Sequence, residues 1–317
     1  MPTIRAIRPT DIIPLMAFFR NGSRREVTAQ VWPEVQGEAN TRVVRDLFRQ
    51  LVVHPGGSSQ AWVCTADWGI HGLAIARSRA GKLAWDVQDL FVAEGALPAG
   101  VDLLEHAAAE VARKGARRVF IATSADGSMS KLARQAGFVH YTSEVLFAIK
   151  LRAPLAAGSV RPARPRLRQD GHALFQLYNA AVPCKVRFAE AVTMEEWASL
   201  DKGSRPWAPR LGGSSQHFVW DDQSEMAGWL QLSFGSRSQH VALLVHPSHA
   251  EATEEMVQYS LSQASHKAPI YVSARDYQPE LISALEKMEF ARVAEYMVFA
   301  REMTARVPSR ALVPARA

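Results

Sequence analysis

Apolar residues along this chain alternate between strand-like runs and helical periods, and the same series can be read twice. In the first series an extended stretch at 3–8 precedes Pro9-Thr10-Asp11 and the apolar run 12–19. Thr10 or Asp11 suits a helix N-cap, and Pro14 falls in the first turn, where a missing N–H costs little. A second helix is expected at 41–53, then a hairpin at 61–66 and 70–78 turning at Asp67-Trp68-Gly69. A strand at 85–92 leads to an amphipathic helix at 101–114, with Leu103, Leu104, Ala107, Ala108 and Val111 on one face. A buried strand at 118–123, a short helix at 128–136 and a strand at 143–151 close the series.

The second series keeps this order. A helix at 173–180 and part of another at 194–199 precede a hairpin, 217–221 with 227–234. Then come a strand at 241–245, a helix at 252–264, a strand at 269–273, a helix at 279–288 and a strand at 293–301. Four landmarks recur in order: Gly56 with Gly212, Gly72 with Gly228, Val92 with Val245, Phe138 with Phe290. One such pair could be chance; four in sequence point to internal duplication. The expected organisation is an N-terminal domain at 1–152, a Pro/Arg-rich linker at 153–166, a C-terminal domain at 167–303 and a mobile tail at 304–317.

Composition narrows the class. At 317 residues, 48% of them hydrophobic and 21% charged, the chain suits two globular cores. No run of about 18 apolar residues predicts a transmembrane helix, and no membrane partner is expected. The two cysteines, Cys64 and Cys184, lie in different halves, which fits a reducing cytoplasm. The net charge of +6 is concentrated early: residues 1–152 hold 19 basic and 14 acidic residues, the remainder 18 and 17. That asymmetry suits a phosphate-bearing ligand in the first half or a solvated basic surface. No helix-turn-helix, zinc or ribonucleoprotein motif points to nucleic acid, and the scattered histidines show no metal spacing, so no metal is expected. Arg161, Arg164, Arg166 and Arg168 could bind an anion or simply keep the linker solvated. Trp62, Trp85, Trp220 and Trp229 fall on strands and are expected in cores.

The order of elements, with Arg8-Pro9-Thr10-Asp11, Gly72, Leu90-Phe91-Val92 and Gly137-Phe138 in the first half and Gly228, Leu244-Val245-His246-Pro247 and Phe290 in the second, resembles the GNAT N-acetyltransferase superfamily. The resemblance implies an α/β (α+β) fold of two consecutive GNAT-like domains, each a mixed, mostly antiparallel sheet flanked by helices. It also implies acetyl-CoA as acyl donor and an amine acceptor. In such domains the strand before the long helix splays from its neighbour, pantetheine pairs with the freed backbone, and the pyrophosphate rests on N–H groups at the helix start. Carried over, this places the donor against Leu90, Phe91, Val92, Gly100 and Val101. Asp86 becomes the base acting through water, and Arg24, Arg25, Trp32 and Glu34 line the acceptor site; the comparable segment of the second half holds Arg187, Glu190 and Trp197.

The sequence also departs from the family pattern. Leu97-Pro98-Ala99-Gly100-Val101-Asp102 keeps one glycine of the phosphate loop but has Leu97 where a basic residue is usual and Asp102 where a small one is. The stretch 249–255 has no glycine and carries Glu251, Glu254 and Glu255. Gln239, beside His240, takes the place of Asp86 in the second half. The usual tyrosine acid is replaced by Ala133 and Leu285, and Tyr141 and Tyr178 are the possible substitutes. A non-catalytic interaction protein that has kept the fold and lost the donor site is therefore the alternative to an N-acyltransferase.

Overall fold

The computed structural model describes residues 2–20, 59–66, 69–79, 83–125, 127–151, 153, 163–190, 193, 197, 214–222, 225–235 and 238–303. The expected helix at 41–53, the glycine pairs at 56–57 and 212–213, most of the linker and the tail lie outside them. The first half contributes β1 (Thr3–Ala6), α1 (Ile12–Arg20), β2 (Ser59–Ala66), β3 (Gly69–Ser78), β4 (Ala84–Val92), α2 (Leu97–Arg113), β5 (Arg118–Ser124), α3 (Met129–Gln135) and β6 (Val139–Ile149). The second contributes β7 (Arg164–Pro165), α4 (Gly171–Ala181), α5 (Cys184–Glu190), β8 (Ser215–Asp222), β9 (Glu225–Phe234), β10 (Gln239–Val245), α6 (Thr253–Gln263), β11 (Ile270–Arg275), α7 (Pro279–Lys287) and β12 (Ala291–Glu302). Among the described residues the predicted series holds in both halves, and the expected helix at 194–199, like that at 41–53, lies outside them apart from Trp197. The short helix α5 was not foreseen, and α2 begins at Leu97, so the stretch read as a phosphate loop is the helix's first turn.

All twelve strands of the described residues form one sheet in the order β1-β2-β3-β4-β5-β12-β6-β11-β10-β9-β8-β7. The order is symmetric about the β12–β6 pair. β12, the last strand of the chain, lies against β5 of the first half, and β6 lies against β11 of the second. Each half therefore completes its sheet with the other's final strand. The β12–β6 pair itself runs antiparallel from Ala291 against Ala148 to Ala300 against Val139.

Helices cover both faces. α2 and α3 lie over Trp62, Trp85, Leu90 and Ile121, while α1 covers the opposite face at Val63, Leu73 and Phe91. In the second half α6 and α7 lie over Leu230, Val241 and Val272, and α4 and α5 over Trp229, Leu244 and Phe120. Trp62, Trp85, Trp220 and Trp229 are all buried, as their strand positions predict. Cys64 and Cys184 are free thiols. No helix among the described residues is long and apolar enough to cross a membrane.

The duplicated landmarks have physical causes. A Cβ on Gly72 would lie 3.1 Å from the Phe91 carbonyl and 3.3 Å from Leu103, and one on Gly228 would lie 2.5 Å from Met256 Sδ. Glycine lets the long helix of each half settle onto its hairpin. Gly137 has φ +78°, and the matching position in the second half holds Glu289 at φ +60°. A side chain in the left-handed region costs about 1–2 kcal/mol, so the second half carries strain that the first avoids.

A further repeat appears only in three dimensions. Arg5 grips Asp11 with two bonds of 2.7 Å, and Arg164 grips Asp170 at 2.7 and 2.9 Å. Each carboxylate also accepts a backbone N–H, from Arg8 and from Leu167. Arg164 additionally bonds Asp221, so it is a structural clamp joining β7 to β8. The arginine partner, opposed by burial, holds the carboxyl of both Asp11 and Asp170 below the ordinary aspartate range. A depressed folded pKa contributes stability above the unfolded value of about 3.9, and this is lost as pH falls through the folded pKa. Asp170→Asn is therefore expected to be less stable than the parent at pH 7, with the gap closing below about pH 4; thermal midpoints across that range measure it.

Candidate functional site

The register shows where each half could admit a ligand. β4 and β5 run parallel only from Ala84 with Arg118 to Val87 with Ile121; beyond Val87 the ladder stops and the strands fork. β10 and β11 do the same after Gln239–Val241 have paired with Ile270–Val272. Leu90, Phe91 and Val92 are buried on the open arm of the first fork, where the resemblance places the donor.

The two forks differ in what fills them. In the second half Gln278 spans the gap: its side-chain N–H donates to the Leu243 carbonyl on β10 at 3.1 Å, and its oxygen accepts from the Arg275 N–H on β11 at 3.0 Å. The strand registers make Ser124 the counterpart of Arg275 and Gly127 the counterpart of Gln278. A Cβ on Gly127 would meet nothing closer than 3.7 Å. Inside the first fork, Thr123 is fully buried and its hydroxyl has no hydrogen-bond partner among the described residues. Such an atom is costly to leave unpaired and suits the polar groups of an extended ligand.

Gly100 is buried at the start of α2. A Cβ there would lie 2.7 Å from Leu132 Cδ1 and 2.9 Å from Val92 Cγ2. Its small size serves the packing of α2 against β4 and α3, so a larger residue at Gly100 would test packing before it tested donor binding. Val101 lies beside it on α2, partly buried against the same core. The first turn of α2 has no acidic side chain, and Asp102 is exposed.

Asp86 lies on β4, opposite Arg77 and Phe120. Both of its oxygens accept from Arg79 Nε, at 2.8 and 2.9 Å, and the Arg79 guanidinium stacks 3.7 Å above the Phe120 ring. The same register places His240, not Gln239, at the corresponding site, because His240 pairs with Ser233 and Tyr271. Gln239 instead spends its amide on Ser265 and Ala268. His240 is buried at 3.1 Å from Ser273 Oγ, and burial pushes its pKa down to about 3.

Of the positions expected to line an acceptor pocket in the second half, Glu190 and Trp197 are locked into the interior and Arg187 is half-buried. Glu190 accepts from Tyr178 at 2.7 Å and Tyr141 at 3.4 Å, and pairs with Arg275 at 3.3 Å. Arg275 also faces Glu144 at 3.3 Å. Arg187 bonds Asn179, and Trp197 donates to the Gly171 carbonyl from within the core. Burial, reinforced by Glu190, pushes the Tyr141 phenol up to about 12 and raises Tyr178 further. Neither phenol is set to act as an acid near neutrality; both solvate a buried carboxylate. Ala133 and Leu285 are fully buried core residues. Arg24, Arg25, Trp32 and Glu34 lie outside the described residues. The Gln278 bridge was missed in the sequence, where it reads as an ordinary residue ahead of the helix-starting Pro279.

The comparisons with known proteins agree with this architecture. No family model matches the sequence, and no curated protein matches it either. Solved structures do: a GCN5-related N-acetyltransferase from Sphaerobacter thermophilus superposes with a TM-score of 0.60 at 16% identity, covering 95% of both chains. A tandem GNAT protein of the clavulanic acid biosynthesis pathway gives 0.54 at 15% identity, over 95% of this chain and 98% of its own. At such identities the likeness concerns the fold, and the chain has the tandem GNAT fold.

Proposed function

We propose that the chain is an N-acyltransferase whose working site is the first half, taking an acyl group from acetyl-CoA to an amine. The observation that carries this reading is the open fork beside Gly127, set against its bridged counterpart beside Gln278. The pantetheine arm would lie along Leu90–Val92, where Thr123 offers a hydroxyl. The acceptor nitrogen would approach from the face carrying Asp86 and attack the thioester carbon, and the C–S bond would break. Asp86 is proposed to take the ammonium proton through water, which requires Arg79 to release one oxygen. The thiolate, with a solution pKa of about 8.5, can depart without a protein acid.

Acetyl-CoA is expected to bind weakly, with Kd roughly in the high-micromolar range, where 1 mM corresponds to about −4.1 kcal/mol. Calorimetric titration of the full chain tests this. Gly127→Gln, which recreates the bridging residue in a roomy position, should weaken binding at least ~10-fold (about 1.4 kcal/mol) while leaving the thermal midpoint in place. An unchanged affinity in that variant would put the donor elsewhere.

The clamp of Arg79 on Asp86 favours a second reading, a GNAT-fold interaction protein without catalysis. Absence of any heat at millimolar donor would support it.

A further inference from the structure

The turn between β10 and α6 occupies the place where a GNAT domain would cradle pyrophosphate, and here it carries two histidines among several carboxylates. Glu225, His246 and His249 each bring one ligand atom to within 4.8 Å of the others. They come from two elements: Glu225 opens β9 at the hairpin tip, and the histidines follow β10. The His246 N–H donates to the Ala227 carbonyl at 2.8 Å, and the His249 N–H to the His246 carbonyl at 2.9 Å, so backbone bonds tie the turn that carries both histidines to the hairpin. Further carboxylates surround His249: Asp222 lies 3.5 Å from its Nδ1 and Glu251 3.9 Å.

From this arrangement we infer a divalent transition-metal site, of zinc type, held by His246, His249 and Glu225, with Asp222 within reach as a fourth ligand. Two imidazoles and one carboxylate are a donor set such ions prefer. Ligand atoms on a tetrahedral zinc at ~2.0–2.1 Å lie about 3.4 Å apart. The present atoms lie within 4.8 Å of one another, so binding would draw the three side chains together. Ser248 Oγ lies 2.5 Å from His246 Nδ1, and the Ser248 N–H donates to the same nitrogen at 3.3 Å. Metal at Nε2 would move the ring proton to Nδ1, which would then donate to Ser248 Oγ in place of that longer bond, an outer contact typical of ligating histidines. The nearby acids that make this turn unfit for a phosphate help hold a cation. Bound there, the ion would tie the β8–β9 hairpin tip to the turn leading into α6. The inference is independent of any activity in the first half.

Zinc binding is measured by competition with a chromophoric chelator on the full chain after metal stripping, in parent, Glu225→Gln, His249→Gln and Cys184→Ser. The expected result is one zinc per chain in the parent and in Cys184→Ser, weakened at least tenfold in Glu225→Gln and in His249→Gln, with the thermal midpoint rising on zinc addition only where the site is intact. Retention of parental affinity in both site variants, or no zinc bound by the parent at all, overturns the assignment. Loss in Cys184→Ser alone would also overturn it, since that thiol lies on α5.

Discussion

Replacing Arg275 by methionine is expected to destabilise the protein by roughly 3–5 kcal/mol, the usual cost of stripping one partner from a buried ion pair. Arg275, Glu144 and Glu190 are all nearly inaccessible. Burial works against the guanidinium charge, but Tyr141, Tyr277, Glu190 and Glu144 outweigh it and hold its pKa well above the ordinary arginine value. Methionine fills much of the volume yet strips both carboxylates of the cation that pairs with them directly. The midpoint of thermal unfolding should fall by roughly 5–15 °C. Adding Glu190→Gln and Glu144→Gln should restore much of the loss, because a neutral set no longer pays for uncompensated charge. A single-variant loss under about 1 kcal/mol would show that water reaches the cluster and screens it.

The same cluster joins the halves. Arg79, the clamp on Asp86, is held charged against burial by Asp86, Tyr141 and Glu190. Tyr141 stands on β6, which the first half lends to the second sheet, and Phe120 beneath Arg79 packs in the core under α4 and α5. One polar seam therefore runs from the candidate base of the first half to the plugged fork of the second. The second half, lacking an open fork, still contributes: Glu190 adds to the field that keeps the Arg79 guanidinium charged beside Asp86.

The order of elements was legible because strand and helix periods are local. Gly72 and Gly228 stood out for a reason the structure supplies, close approach of a long helix to the hairpin. The exchange of β6 and β12 was not legible, since the alternation that marks a strand does not name its neighbour. Aligning by landmarks also misplaced one residue. Val92 and Val245 match, and counting back from them sets Gln239 against Asp86. An irregularity between Ile75 and Ala76 in the β3–β4 ladder skips Gln88, so β4 carries one extra residue. That bulge moves the match to His240. Gly100 was expected to leave room for phosphate, whereas in the fold Leu132 and Val92 set the limit on a side chain there.

His240 gives the second large effect, and its sign follows from burial. In the unfolded chain a histidine titrates near ~6.5, whereas in the folded protein burial pushes it down to about 3. Between these values the unfolded state binds a proton that the folded state refuses, so stability falls as pH falls. Well below pH 6.5 the slope approaches about 1.4 kcal/mol per pH unit, some 2–3 kcal/mol by pH 4.5. His140, also lowered by burial, adds to the same slope, while the aspartate clamps act below about pH 4. Denaturant unfolding at pH 7, 5.5 and 4.5 should show the parent weakening steadily. His240→Gln, which keeps a polar partner for Ser273, should be much flatter across that range. Parallel decline in both proteins would remove His240 as the source. A flatter variant would establish that the second-half counterpart of Asp86 is a neutral, buried imidazole at physiological pH, with no charge to offer an ammonium acceptor, and would leave the first fork as the place to look for turnover.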